Sequence, residues 1–311
     1  MFDVLSLTIP FFGIIALGAF SRAIGFFEED MGMKLARFAF YFVLPPFFFL
    51  AITAAPIEDL FNFNFLIRYE IATFIMLVGA GIASSLLFGF RGIQRGLYGL
   101  NAAYPNMGYI GFPLCLMAFG TDAALPLAMM LTVDTIMLLV LTAAFLPADK
   151  DGALLSTIGV MLKQLAKNPL IVSAIVGIGW AYLGLPVPFI ADRFLNLMAG
   201  AAAPAALFAL GITIWGANLK SSYGELGLLS LLKLVIHPAL VAVLFIGSDI
   251  EVVWIQTAIL CACLPIAANV FAMSQFYGVY AQKTAGAILL STTIASFTTP
   301  AVLYFIYLYL P

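Results

Sequence analysis

Apolar runs of membrane-crossing length follow one another along almost the whole chain, and no other feature restricts its fold so tightly. A helix needs roughly 20 apolar residues to cross the hydrocarbon of a bilayer. Hydropathy and helix breakers divide the chain into ten such runs: 4–24, 35–55, 65–89, 96–119, 125–146, 165–184, 190–214, 226–247, 254–277 and 284–309. The runs are continuous rather than alternating, which argues against a β-barrel. Of 311 residues, 64% are apolar and 9% charged, whereas a soluble domain is about half apolar and a quarter charged. That much apolar surface cannot be hidden inside a soluble fold of this size. Its 29 Phe argue against disorder. A net charge of −2 without a basic cluster argues against a nucleic-acid partner. The chain reads as an all-α integral membrane protein with the bilayer as its solvent.

The cations sort by side. Connections after spans 1, 3, 5, 7 and 9 carry Arg22, Lys34, Arg37, Arg91, Arg95, Lys150, Lys163, Lys167, Lys220 and Lys283, and Lys233 sits low in span 8 on that side. The opposite connections carry only Arg68 and Arg193. The positive-inside rule puts the first group in the cytoplasm and both termini on the extracytoplasmic side of an inner membrane. Asp3, Glu58, Asp59, Asp122, Asp192, Asp249 and Glu251 then fall outside. Trp180, Trp254 and Trp215, with the Tyr304, Tyr307 and Tyr309 group, fall where interfacial rings sit. No Lys or Arg precedes the first run, which reads as a permanent span rather than a cleaved signal. Cys115, Cys261 and Cys263 lie in apolar stretches and read as packing. No metal motif or cofactor motif is present.

Shifting the chain on itself aligns its punctuation. Pro10 meets Pro169, Gly18 meets Gly177, Gly25 meets Gly184 and Pro45 meets Pro204 at 159 residues; Ile52-Thr53 meets Ile212-Thr213 and Pro105 meets Pro265 at 160. The offset equals five spans. Because five is odd, a second copy (148–311) is upside down relative to the first (1–147), and such 5+5 inverted repeats mark secondary transporters.

The polar exceptions at depth are few. Span 4 carries Pro105, Gly108 and Gly111 within seven residues, which predicts an unwound segment. Span 9 carries Pro265 and Asn269 at the corresponding place. Backbone freed there must be satisfied by protein or line a watery cavity. A resumed half-helix offers N–H groups suited to an anion, and Asn106 and Asn269 add donors for a carboxylate. Asp134, in span 5 between Thr132 and Thr135, is a candidate for carrying a proton or a cation. His237, the sole histidine, either titrates or satisfies a carbonyl freed by Pro238. Lys233 is expected to snorkel to the cytoplasm or attract anions at the entrance, and Glu70 with Arg68 to form an interfacial pair. The hydroxyls of span 10 (Ser291 to Thr299) read as helix glue. The Ala199–Ala206 tract reads as a packing seam, within the chain or between protomers of a homodimer, and 147–163 as an interfacial amphipathic connection.

Three stretches, Asn106–Leu114, Lys233–Pro238 and Pro265–Asn269 with the later Ser-Thr-Thr run, resemble the auxin efflux carrier family. The short form as a whole is most similar to its bacterial malonate or malate permeases. The resemblance implies ten helices with broken helices 4 and 9 crossing at their prolines. It also implies a scaffold (1–60 and 164–220) and a moving transport domain (61–147 and 221–311). Asn106 and Asn269, with Pro105, Gly108 and Pro265 around them, match the substrate site at that crossing, and Asp134 and His237 are the candidates for coupling. The expected function is alternating-access transport of a small organic anion, a mono- or dicarboxylate such as malonate, malate or an auxin-like acid, with H+ or Na+ as the candidate coupling ions. The alternative is a sodium-coupled symporter of the bile-acid type. An enzyme is not expected, since one His and one mid-span acid stand about a hundred residues apart.

Overall fold

A computed structural model describes residues 2–54, 62–144, 163, 166–215 and 223–310. Its α-helices are α1 (Phe2–Ala23), α2 (Glu29–Phe38), α3 (Leu44–Ala54), α4 (Phe63–Phe88), α5 (Gly92–Ala103), α6 (Phe112–Phe119), α7 (Ala124–Ala144), α8 (Pro169–Tyr182), α9 (Phe189–Gly200), α10 (Ala202–Ile214), α11 (Tyr223–Leu231), α12 (His237–Phe245), α13 (Val252–Ala262), α14 (Ala268–Phe276) and α15 (Ala281–Tyr309). Among the described residues there is no strand, only an isolated antiparallel bridge between Pro105 and Ile266. Among the described residues six helical stretches are long and apolar enough to cross a membrane: Asp30–Ala54, Phe63–Phe88, Thr121–Leu138, Phe189–Ile214, Tyr223–Phe245 and Ala281–Tyr309.

The longest stretches show what the solvent is. One face of α4 buries Phe65, Tyr69, Ala72, Thr73, Met76 and Ala80. Its other face exposes Ile67, Ile71, Phe74, Ile75, Val78 and Ile82. A surface helix in water carries charge on that second stripe; here both stripes are apolar, so the outer one faces lipid. The Asn62 side chain accepts from Phe65 N at 3.1 Å and caps the start of α4. Gly89 ends it in the left-handed region, where no Cβ penalty applies.

Prolines shape two of the long stretches and the shorter helix Met107–Phe119 in one way. Wide π turns at Ala39–Val43, Met107–Gly111 and Leu232–Ile236 stand just before Pro45, Pro113 and Pro238. A proline removes one donor and clashes with the carbonyl four residues earlier. Those carbonyls belong to Tyr41, Tyr109 and Leu234, each inside a π turn, where the widened turn makes room for the ring. Pro204 acts differently: α9 stops at Gly200 and α10 begins at Ala202.

The helices pack in two groups. In one, α1 and α2 lie on α10, and α3 lies on α8 and α9. The seam between α1 and α10 is made by glycine. A Cβ on Gly18 would stand 2.3 Å from the Phe208 carbonyl oxygen, and one on Gly211 would stand 2.0 Å from that of Ile15. In the other group α4 lies on α5 and α12, α12 on α13, and α15 on α11 and α14.

Some sequence expectations change here. Trp254 is not an interfacial ring: it is 4% exposed and packs edge-on against Phe65. Within the alanine tract, Ala202 and Ala206 bury inside the chain itself. Gly108 and Gly111 do not unwind span 4; they lie inside the second π turn, and Gly111 lets Leu264 approach closely. Glu58, Asp59, Lys150, Lys220 and nearly all of the 147–163 connection lie outside the described residues.

Candidate functional site

Two chain breaks meet inside the second packing group. Helix α5 stops at Ala103, Tyr104 is extended, Asn106 turns the chain so that Met107 N donates to Pro105 O at 2.8 Å, and helix resumes at Met107. Helix α13 stops at Ala262, and α14 begins at Ala268. The two extended segments run antiparallel and exchange bonds: Asn106 N donates to Pro265 O at 2.8 Å, and Ala267 N donates to Tyr104 O at 3.1 Å. Ile266 N donates to Ser291 Oγ at 3.3 Å, which draws α15 to the crossing. Pro105 and Pro265 have no N–H to leave unpaired. The crossing thus satisfies part of the broken backbone from within the protein, as irregular structure away from water requires.

A cavity of about 30 Å³ opens on this crossing. Its crossover wall includes Pro105, Asn106, Gly108, Ala267, Ala268 and Asn269; α7 gives Asp134 and Thr135; Phe40, Leu44 and Leu170 close it from the first packing group. Both resumed helices begin at this cavity, so both direct the positive ends of their dipoles at it.

The two asparagines differ. Asn106 caps the resumed helix: its Oδ1 accepts from Tyr109 N at 3.3 Å, and it is 3% exposed. Its amide nitrogen Nδ2 is buried with no hydrogen-bond partner among the described residues, a donor held ready for an acceptor. Asn269 is exposed and sits one residue inside α14. Pro265 is at the crossing but does not line the cavity.

Asp134 is 2% exposed, and neither carboxylate oxygen has a hydrogen-bond partner among the described residues. Its backbone oxygen accepts from the Tyr104 hydroxyl, which ties α7 to the crossing. Thr132 and Thr135 donate to Ala128 O and Leu131 O on their own helix. The single histidine lies behind the cavity rather than in its wall. His237 Nδ1 is 2.8 Å from Lys233 Nζ, and Nε2 is 3.4 Å from Thr73 Oγ1. It therefore does not serve a carbonyl freed by Pro238.

Two residues were misjudged from sequence. Lys233 does not snorkel: it is fully buried and also donates to Ala262 O at 2.8 Å, at the end of α13. A carbonyl left open by the helix end and an imidazole nitrogen hold its ammonium inside. Glu70 does not pair with Arg68, whose guanidinium bonds Asn64 Oδ1 and Leu244 O. Both Glu70 carboxylate oxygens are buried without a partner among the described residues. An acid within an apolar run was the available signal for Glu70, the same one that marked Asp134.

The cysteines are free and buried, with Cys115 Sγ 3.6 Å from Cys261 Sγ. Among the described residues no group of three or more His, Cys, Asp or Glu could hold a metal ion.

Comparison with known proteins places this geometry. The family described as "Membrane transport protein" matches residues 3–303. A "Putative malonate transporter" of Rhizobium meliloti (strain 1021) is 34% identical over 98% of this chain and 97% of its own length. "Uncharacterized transporter YfdV" of Escherichia coli (strain K12) is 23% identical over 95% of each chain. An "Uncharacterized transporter" of Methanothermobacter thermautotrophicus is 27% identical over 74% of each. These are names of transporters, not of enzymes, and they fit a multi-pass helical protein whose polar breaks lie within apolar helices. The chain is a membrane transporter that belongs to the membrane transport protein family, the auxin efflux carrier family that its crossover stretches resemble.

Proposed function

We propose that this protein is a secondary transporter that carries a small carboxylate, of the malonate class, through the inner membrane by alternating access. The observation that carries the reading is the Asn106 amide nitrogen, buried without a hydrogen-bond partner among the described residues, at a cavity onto which two helix N-termini open. The malonate in the relative's name supports the same substrate class.

Ten spans in a 5+5 inverted repeat suit this work, and helix ends support the repeat. Gly25 and Gly184, Gly89 and Gly247, and Gly120 and Gly278 all have positive φ. They stand 159, 158 and 158 residues apart and end corresponding apolar runs in the two halves. The two packing groups correspond to a scaffold (1–60 and 164–220) and a moving domain (61–147 and 221–311). The cavity lies where Phe40, Leu44 and Leu170 of the first meet the crossing of the second. At about 30 Å³ the cavity has room for about two waters, each needing about 10–15 Å³ of such space, and in this reading a dicarboxylate enters as these walls part. Movement of one group against the other would open the cavity to each side in turn. Both termini lie outside in this reading, as the cation bias of the connections requires.

The test is a thermal-shift screen of the purified protein against mono- and dicarboxylates, followed by flux in proteoliposomes with and without sodium. Malonate-class acids should stabilise the protein and move across the membrane. Stabilisation only by uncharged solutes would overturn the carboxylate reading, and flux that needs sodium would move it to the bile-acid type. In Asp134→Asn the pH profile of flux should change; an unaltered profile would remove Asp134 from coupling.

A further inference from the structure

The two helices that resume at the crossing begin differently. Their broken segments pair antiparallel at Pro105 and Ile266, so the local two-fold of that pairing sets Asn106 against Ala267 and Met107 against Ala268. Each of these pairs matches a cap with a cap or a first helical residue with a first helical residue. Asn106 gives its helix a side chain, since Oδ1 accepts from Tyr109 N at 3.3 Å. Ala267 has no side-chain oxygen to give, and α14 starts without a side-chain cap. The first N–H groups of a helix have no acceptor within it, and an anion can stand where a cap is absent. Ala267 is buried, and both Ala267 and Ala268 line the cavity. A second, independent donor borders the same cavity: Asn106 Nδ2, buried without a hydrogen-bond partner among the described residues. One cavity is thus served by two sets of donors, a side-chain amide from one half of the chain and main-chain N–H groups from the other.

We infer that the crossing recognises a short dicarboxylate at two points: one carboxylate bonds Asn106 Nδ2, and the other takes the place of the absent cap at the start of α14. This rests on the carboxylate reading above and adds that the ligand carries two such groups. Both helix starts border one cavity of about 30 Å³, so the two carboxylates are joined by a short chain. A monocarboxylate fills one point and leaves the other donors unpaired, which costs binding. Asp134 is the one acid in the cavity wall, and an ionised carboxylate there would oppose any anion. Ligands are therefore compared at a single pH, and also in Asp134→Asn, where the wall has no acid and the same order of ligands should hold.

Titration calorimetry on the purified full chain with malonate, its monoamide malonamate, and acetate tests the two points. Malonate should bind about 10- to 100-fold more tightly than either monoacid, the worth of a hydrogen bond to a charged group. Ala268→Pro removes one main-chain donor from the second point. Proline is tolerated at the first position of a helix, and Ala267, at φ −70° and ψ 139°, already has the backbone that a following proline requires. The variant should fold, weaken malonate about tenfold and bring it down toward acetate. Ala267→Ser supplies the absent cap; it should raise the unfolding midpoint and still weaken malonate, a divergence that a merely structural role for this turn would not give. Malonate affinity unchanged in both variants would overturn the two-point contact. Acetate or malonamate binding as tightly as malonate would overturn it too and leave the carboxylate reading standing. Binding of none of the three would overturn the carboxylate reading and the two-point contact together.

Discussion

The seam between α1 and α10 and the crossing of the two broken helices are built on opposite rules. At the seam the backbones touch: Gly18 and Gly211 leave no room for even a methyl group. At the crossing the two broken segments bond each other, yet among the described residues Asn106 Nδ2 and both Asp134 carboxylate oxygens have no hydrogen-bond partner, and a cavity remains. Dense contact resists deformation, whereas unpaired buried polar groups cost stability and are kept where a ligand will use them. The seam thus suits a part that holds still, and the crossing suits a part that binds and lets go.

Substitutions can break this contrast. The largest effect is expected at the seam. In Gly211→Ala the new Cβ would lie 2.0 Å from Ile15 O and 2.9 Å from Ala19 N, both backbone atoms that cannot swing aside. The cost should be about 3 kcal/mol in a detergent unfolding titration, at the upper end for overpacking. Gly13→Ala is the control on α1, the other helix of the seam, where nothing lies within 4 Å of the added carbon. It should leave the midpoint unchanged or raise it slightly. Equal behaviour of the two variants would mean that the seam is not the rigid contact it is taken for.

Asn106→Ala comes next and should divide differently. Loss of the cap to Tyr109 N should cost about 1 kcal/mol of stability. Loss of a donor to a carboxylate costs about 1.5–3 kcal/mol of binding, which is roughly 10- to 100-fold in Kd. The variant should therefore fold, reconstitute and bind malonate-class acids poorly, as read by thermal shift and flux. A loss of stability as large as that of Gly211→Ala, with affinity retained, would make the crossing a structural joint and end the contrast.

How far the sequence reaches can be seen in the same residues. The breaks at Pro105 and Pro265 were legible because proline's missing donor and ring clash are local facts that no tertiary contact reverses. Asp134 was legible because an acid in a long apolar run needs a reason. Lys233 was misread because its direction depends on acceptors supplied from elsewhere, His237 one turn on and Ala262 O from another helix. Near the end of an apolar run, a snorkelling lysine and a buried one look alike. Glu70 was misread for the same reason: Arg68 lies two positions away but turns to Asn64 and Leu244. The glycines at 18 and 177 aligned at one offset, but nothing local said that one would touch α10 and the other α3.

The smallest effect is expected at Asn269, and it sharpens the contrast within the crossing itself. The family resemblance gives both asparagines to the substrate, although Asn269 stands three residues beyond the 160-residue offset that pairs Pro105 with Pro265. The structure places Asn106 at the cap position before a resumed helix and Asn269 one residue inside one. The first position takes Oδ1 for the helix and leaves Nδ2 buried and unpaired; the second leaves the side chain exposed at the cavity wall. A solvated amide already has water as its partner, so exchanging that partner for a carboxylate gains about 0.5–1 kcal/mol, or about threefold in Kd. Asn269→Ala should lower affinity by that amount and leave stability unchanged. If it instead matches the loss in Asn106→Ala, the substrate engages both asparagines equally, and binding must first draw Asn269 out of solvent and close the cavity around the anion.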